Sequence, residues 1–176
     1  MVADFVGAVE RLYEREPGSL KRDGLYSLHR ELGLTHDELG QRIRDESAYR
    51  MFWLTVPALP WAGAVARLFD FSDSAYMLTS PWLDDPTGMA DKVRWAALHL
   101  DAPAAHVLTF PEKHLLAGPH RYLIDDRPHN IRDWEAHGGT GILFPAPHHG
   151  RATPAQLADP MALLHTMLRF HLPKHF

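Results

Sequence analysis

Cysteine is absent from the 176-residue chain, which excludes disulfides and thiolate-bound zinc. No stretch approaches the roughly 18 apolar residues of a membrane-spanning helix, so we expect no membrane partner. Basic residues are not in excess, because the net charge is -4, and this argues against a nucleic-acid-binding protein with a broad basic face. The first residues carry acids and lack the basic start of a signal peptide, so the sequence favours a cytoplasmic protein.

Metal-binding patterns of histidine are also lacking, although the chain has 13 histidines. They are scattered, and no His-Glu-x-x-His run is present. His171 and His175 have helical spacing, but Pro173 lies between them and should break the helix that would align them. The histidines therefore predict no zinc site.

Helices dominate the first part of the predicted organisation. Hydrophobic residues make up 45% of the chain, enough for a sizeable core, and the length predicts one domain over residues 1–176. Apolar spacing predicts helices over 3–14, over most of 25–53 and over 61–69. Thr35 and Glu38 predict a capping box for a helix that runs to about Ile43. The polar segment at about 15–60 is predicted to be a helical insert over one edge of the domain, a candidate cap.

Strands alternate with helices in the rest of the chain. Short apolar runs predict strands over 75–79, 105–109, 122–124 and 141–144, with helices over 89–100 and 131–137. Thr153 with Gln156, and then Pro160, are expected to begin the final helices. This alternation predicts an α/β fold with a mostly parallel sheet covered on both faces.

Polar side chains follow three of these predicted strands. Thr79 and Ser80 follow the first, Lys113 follows the second, and the pair Asp125-Asp126 follows the third. Each has an ordinary explanation when taken alone: a turn, a solvated lysine or a helix cap. Successive parallel strands end at a common edge of their sheet, so the three groups are expected to converge there.

The adjacent carboxylates of Asp125 and Asp126 predict a divalent cation. Clustered carboxylates repel one another unless a cation or a proton relieves them. Hydroxyl and backbone N–H groups at a strand end can hold a phosphoryl oxygen, and a lysine can neutralise its charge. The alternative is a helix N-cap, because Pro128 and Asn130 follow, although capping requires only one acid.

The chain resembles the 5'(3')-deoxyribonucleotidases, which belong to the haloacid dehalogenase (HAD) superfamily of phosphatases. The residues that match their later motifs are Leu78-Thr79-Ser80-Pro81, Asp91-Lys92-x-x-Trp95, Lys113, Leu123-Ile124-Asp125-Asp126, Ile131-x-x-Trp134 and Gly138-Gly139-x-Gly141-Ile142-Leu143-Phe144. The match covers most of the chain from Phe52 to about His149. It implies a HAD-like, Rossmann-type parallel sheet with a small helical cap.

The resemblance also implies magnesium-dependent removal of phosphate from a (deoxy)nucleoside monophosphate. In that family one aspartate attacks the phosphorus, a second protonates the leaving sugar oxygen, and Mg2+ neutralises the phosphate charge. By similarity, Thr79 would hold the phosphoryl group and Lys113 would stabilise its charge. Asp125 would ligate Mg2+, with support from Asp126. The other implied contacts are to phosphate or substrate from Ser80 and Lys92, and to the base from Phe5, Phe52 and Trp53. Core packing is the alternative role for these three rings.

The family's first motif, Asp-x-Asp-Gly on the first, central strand of the sheet, has no counterpart in the chain. Val2-Ala3-Asp4-Phe5 matches only residues that follow that motif, and neither Asp4 nor Asp70-x-x-Asp73 has the position to replace its acids. The chain would then be an enzyme whose first motif lies before Met1, a non-catalytic nucleotide- or protein-binding HAD-like domain, or a structural domain that retains relics of the motifs. An absent central strand would leave strand edges unpaired, so we expect a homo-oligomer or a strand-donating partner.

If the first motif lies before Met1, the in-frame DNA upstream of the Met1 codon should encode Asp-x-Asp-Gly. Reading that DNA checks the expectation. A stop codon in the upstream stretch would contradict it and would favour one of the two non-catalytic alternatives.

Overall fold

The computed structural model describes residues 3–20, 28–71, 74–81, 85–146 and 153–171. Within these ranges the chain is a mixed α/β protein, with four short strands among its helices. It divides into two compact units, an N-terminal unit over residues 2–111 and a C-terminal unit over 112–176. None of the helices within the described ranges combines the length and the apolar character that a bilayer crossing requires.

The first part of the N-terminal unit is helical. Its α-helices are α1 (Phe5–Leu12), α2 (Leu28–Glu31), α3 (His36–Arg50) and α4 (Ala62–Ala66). Short 3-10 helices follow α3 and α4, at Phe52–Thr55 and Arg67–Phe71. The second part alternates strand and helix: β1 (Met77–Thr79), α5 (Pro86–Leu100), a 3-10 helix at Ala104–His106 and β2 (Val107–Thr109).

The C-terminal unit also alternates strand and helix before it ends in two helices. Its elements are a 3-10 helix at Lys113–Leu116, β3 (Tyr122–Asp125), α6 (Pro128–Ala136), β4 (Thr140–Leu143), α7 (Pro154–Ala158) and α8 (Pro160–His171). Proline occupies the first position of all three α-helices, where the N–H that it lacks has no partner within the helix. The predicted beginnings at Thr153 and Pro160 are therefore confirmed.

The capping box of α3 is confirmed, but the predicted end of the helix is wrong. Thr35 Oγ1 accepts from the N–H of Glu38 at 3.2 Å, and Glu38 Oε2 accepts from the N–H of Thr35 at 2.7 Å. The helix continues past Ile43 to Arg50, because residues 44–50 contain neither glycine nor proline. It ends where Met51 adopts a left-handed backbone with a φ of 54°.

Other predicted elements differ mainly in their bounds. All four predicted strands are present, and β2 begins later than expected because a 3-10 turn occupies Ala104–His106. The predicted helix over 61–69 is α4 followed by the 3-10 helix Arg67–Phe71. Residues 25–27 of the predicted helical segment, together with His175, lie outside the described residues. The proposed role of 15–60 as a cap stays a prediction.

The strands form two parallel pairs. β1 pairs with β2 from Met77↔Val107 to Thr79↔Thr109, and β3 pairs with β4 from Tyr122↔Thr140 to Asp125↔Leu143. The parallel direction agrees with the sequence prediction. In the described part of the chain each pair is a sheet of its own, whereas the apolar runs suggested one sheet. In each pair the two strands end side by side, which places the residues after them close together.

The core of the N-terminal unit is built by α1, α3 and the 3-10 helix Phe52–Thr55. Val9, Ile43 and Phe52 are among its buried side chains. Asp4 caps α1 by accepting from the N–H of Gly7 at 3.1 Å. This cap agrees with the placement of Asp4 at the first helix rather than on a strand.

Two indole N–H groups attach the segment after α3 to α5. Trp53 Nε1 donates to Asp85 Oδ2 at 2.7 Å, and Trp95 Nε1 donates to the carbonyl oxygen of Val56 at 2.6 Å. Gly88, in the first turn of α5, lies against the Trp53 indole, because a Cβ added at Gly88 would lie 2.5 Å from Trp53 Nε1. The missing side chain at Gly88 therefore lets the indole reach Asp85.

Gly88→Ala should lower the free energy of unfolding by about 1–3 kcal/mol, because the added methyl group overpacks the contact with Trp53. Gly63→Ala in α4 is the matched control, since a Cβ there would meet nothing within 4 Å. Its better helix propensity should raise the free energy of unfolding by up to about 1 kcal/mol. Urea unfolding followed by circular dichroism measures both values. Equal gains in the two variants would contradict the packing of Trp53 on Gly88.

Candidate functional site

Lys113 and Asp125 form a buried ion pair at the carboxyl end of β3. Asp125 is the last residue of the strand, and Lys113 begins the 3-10 helix Lys113–Leu116. Lys113 Nζ lies 2.6 Å from Asp125 Oδ2, and the two side chains are 12% and 4% exposed. A charge-assisted hydrogen bond this short is among the stronger polar contacts in a protein. The structure thus brings together the lysine and the first of the two carboxylates predicted to converge.

The second oxygen of Asp125 is held by the start of α6. Asp125 Oδ1 accepts from the backbone N–H of Arg127 at 2.8 Å and from the side-chain amide of Asn130 at 3.0 Å. Its carbonyl oxygen accepts from the N–H of Phe144 at 2.8 Å. Asp125 therefore also bonds to the backbone just before α6, as the helix-cap alternative expected. Asn130 has a direct contact with the carboxylate that the sequence argument had not given it.

Asp126 directly follows β3 and is half-buried. It and Asp125 are the adjacent carboxylates for which the sequence predicts Mg2+. Among the described residues, no group of three or more His, Asp or Glu side chains is placed to hold a metal ion together. A magnesium site here would therefore draw on one or two carboxylates.

Thr79 and Ser80 lie at the carboxyl end of β1 in the N-terminal unit. Thr79 is the last residue of the strand, and its carbonyl oxygen accepts from the N–H of Phe110, just after β2, at 2.8 Å. The carbonyl oxygen of Ser80 accepts from Lys92 Nζ at 2.7 Å. The lysine of α5 is thus brought to the end of β1, where the sequence predicts contacts to phosphate or substrate.

The three predicted base-pocket rings pack on one another. Phe5 lies nearly parallel to Trp53, with ring centroids 5.7 Å apart and an interplanar angle of 11°. Phe52 meets the same indole edge-on, with centroids 5.2 Å apart. Lys92 Nζ lies 4.0 Å from the centroid of the Trp53 ring, a cation–π contact. Phe52 and Trp53 are buried in the core cluster, so packing is one role of these rings, and the base pocket stays a prediction.

Asp85 is a buried carboxylate that the sequence argument overlooked. Its side chain caps α5 by accepting from the N–H of Gly88, and it also accepts from Thr87 and Trp53. Burial raises the pKa of Asp85, but hydrogen bonds, led by those from Thr87 and Trp53, outweigh it and hold the pKa below its ordinary value. Asp85 followed by Pro86 is a recognisable start of a helix, but its bond to Trp53 joins residues 32 positions apart.

The predicted site residues fall into two groups. Lys113, Asp125 and Asp126 belong to the C-terminal unit. The N-terminal unit holds the others: Phe5, Phe52, Trp53, Thr79, Ser80 and Lys92. Direct contacts link Lys113 to Asp125 in the first group, and Lys92 to both Trp53 and Ser80 in the second.

Comparison with known proteins adds no assignment, because no protein-family model matches the chain and no curated protein matches it significantly. The chemistry of the candidate site therefore has to be argued from its own residues.

A double-mutant cycle should show strong coupling between Lys113 and Asp125. Lys113→Met and Asp125→Asn each leave a charged or polar partner buried without its counterpart, so each should lower the free energy of unfolding by about 3–5 kcal/mol. The double variant should lose less than the sum of the two, by up to about 3 kcal/mol. Urea unfolding gives the four values. Glu112→Gln, at an exposed neighbouring carboxylate, is the control and should have little effect. Additive losses would show that the two charges do not stabilise one another.

Proposed function

We propose that the chain is a HAD-like domain whose function is the magnesium-dependent dephosphorylation of (deoxy)nucleoside monophosphates. The observation that carries the proposal is the buried pair of Lys113 and Asp125 at the carboxyl end of β3. Ligands of open α/β sheets bind at this edge. The resemblance to the deoxyribonucleotidases assigns the phosphate-side cation and the magnesium ligand to these two residues.

Lys113 has the chemistry of a phosphate-side cation. An ammonium group carries three donor hydrogens, and its bond to Asp125 requires one of them. Lys113 can therefore keep its contact with Asp125 while it donates to a phosphoryl oxygen. Because the bond to Asp125 fixes the end of a flexible side chain, less freedom remains to be lost when phosphate binds.

The carboxylates fit magnesium in kind and number. Mg2+ takes oxygen ligands and is usually held by one or two carboxylates together with water and substrate phosphate. Asp125 would supply one such oxygen, and Asp126 would support it. When bound, Mg2+ would neutralise the charge of the phosphate. Asn130 and the N–H of Arg127 would keep the Asp125 carboxylate in its present orientation.

The strand pairing supports the fold part of the proposal. In the described part of the chain β1 pairs with β2, and β3 pairs with β4, all in parallel. A parallel sheet that has no middle strand would leave two such pairs. The resemblance assigns that middle strand, and the two acids of the first motif, to the Asp-x-Asp-Gly segment that this sequence does not contain.

A non-catalytic nucleotide-binding domain is the second candidate. Two observations favour it: the sequence has no Asp-x-Asp-Gly run, and both oxygens of Asp125 already have protein partners. In this case Lys113 and Asp125 would bind phosphate and Mg2+ without a nucleophile to attack the phosphorus. The two candidates share the same residues and differ only in turnover.

Release of inorganic phosphate from deoxynucleoside monophosphates tests the first candidate. We expect release with Mg2+ that EDTA abolishes. Asp125→Asn should abolish it as well, because the amide removes the charge that attracts the cation. Asp133→Asn is the matched control, since Asp133 is an exposed carboxylate on α6 outside the proposed site, and it should retain release.

Calorimetric titration with the same nucleotides separates the remaining outcomes. Mg2+-dependent binding without phosphate release, weakened by Asp125→Asn but not by Asp133→Asn, would support the non-catalytic domain. Neither binding nor release would contradict both candidates.

A further inference from the structure

The carboxylate of Asp85 has more partners than a helix cap requires. Its side chain is buried, with the residue 3% exposed, and the proposed reaction gives it no role. Asp85 Oδ1 accepts from Thr87 Oγ1 at 2.7 Å and from the N–H of Gly88 at 3.0 Å, and these bonds complete the cap of α5. Asp85 Oδ2 accepts from Trp53 Nε1 at 2.7 Å instead. One oxygen therefore serves the helix, and the other fixes an indole ring.

That indole ring is the support for a cation. Lys92 Nζ lies 4.0 Å from the Trp53 ring centroid and 2.7 Å from the carbonyl oxygen of Ser80. Lysine has a flexible stem and a compact charge, so its position depends on the groups that restrain it. A hydrogen bond from the indole N–H to a carboxylate fixes the ring and polarises it, and the contact with the cation benefits from both.

We propose that Asp85 is a positioning residue that, through Trp53, holds the ammonium of Lys92 at the carboxyl end of β1. At that position Lys92 is an anion-binding group, placed beside Thr79 and Ser80 for the phosphate of a ligand. The identity of the ligand as a nucleotide rests on the proposed function, but the restraint on Lys92 does not. Every residue in this chain of contacts belongs to the N-terminal unit.

Asp85→Ser separates the two roles of the carboxylate. Serine is about as good a helix N-cap as aspartate, so its hydroxyl can accept from the N–H of Gly88 and keep α5 intact. Its single, shorter oxygen cannot also accept from Trp53. Thr87→Ala is the matched control, because it removes a bond to the capping oxygen and leaves the bond between Trp53 and Asp85 in place. Trp53→Phe is a second test, because it keeps an aromatic face and removes the N–H donor.

The readout is the rate at which an amine-reactive reagent labels each of the four lysines of the full chain, followed by mass spectrometry against an added lysine peptide. Asp85→Ser and Trp53→Phe should each speed labelling of Lys92 about threefold to thirtyfold, the range that a lost cation–π contact represents. Labelling of Lys113 should not change, and Thr87→Ala should leave both rates as in the wild type. Equal Lys92 rates in Asp85→Ser, Trp53→Phe and the wild type would overturn the proposal.

Inorganic phosphate then tests the anion-binding role. It should slow labelling of Lys92 in the wild type and in Thr87→Ala, and protect it less in Asp85→Ser. Equal protection in Asp85→Ser would overturn the proposal, as would no protection in the wild type. Labelling of Lys113 with nucleotide and Mg2+ reports on the proposed function in the same samples. A failure at Lys113 with the expected result at Lys92, or the reverse, therefore shows which of the two ideas is wrong. If Asp85→Ser does not fold, as judged by circular dichroism, Trp53→Phe gives the same comparison.

Discussion

A carboxylate removed from water must have its charge and its lone pairs met by the protein, and each compact unit of this chain contains such a group. Asp125 is 4% exposed and is met by a lysine, an amide and a backbone N–H. Asp85 is 3% exposed and is met by an indole, a hydroxyl and a backbone N–H. These partners come from segments that are separate in sequence. Satisfying the two carboxylates therefore fixes the start of α6 in one unit and the start of α5 in the other.

The same constraint explains which parts of the site were predictable from sequence. The strands ending at Thr79 and Asp125 are short apolar runs, and the cap at Thr35 is a local pattern of side chains, so both could be read from neighbouring residues. The pairing of Lys113 with Asp125 followed from a general rule for the ends of parallel strands. The bond from Trp53 to Asp85 was missed because nothing in either local sequence specifies a partner 32 positions away.

Two other differences have equally physical origins. The predicted end of α3 at Ile43 relied on the loss of apolar spacing, but a surface helix continues until a residue or a contact stops it. The division of the strands into two pairs depends on which distant segments meet, and short apolar runs do not encode that choice. The sequence therefore predicts the elements and the residues at their ends better than it predicts how far they extend and which of them join.

Binding and catalysis make different demands on the candidate site. Holding a phosphate requires fixed cations and hydrogen-bond donors, and the contacts of Lys113 and Lys92 meet that demand in each unit separately. Turnover also requires a nucleophile in line with the phosphorus, and the resemblance gives that part to a motif that this sequence lacks. The residues described here thus bear most directly on recognition of the phosphate.

The left-handed backbone of Met51 limits how this sequence can change. A residue with a Cβ pays about 1–2 kcal/mol for that conformation, and Met51 is followed immediately by the buried rings of Phe52 and Trp53. Its side chain is 52% exposed, so side-chain contacts alone would permit many substitutions. The backbone permits fewer: glycine and asparagine suit the conformation, whereas valine and isoleucine strain it. Variation among relatives at position 51 should therefore follow backbone conformation rather than hydrophobicity, as is unusual for a residue on the surface.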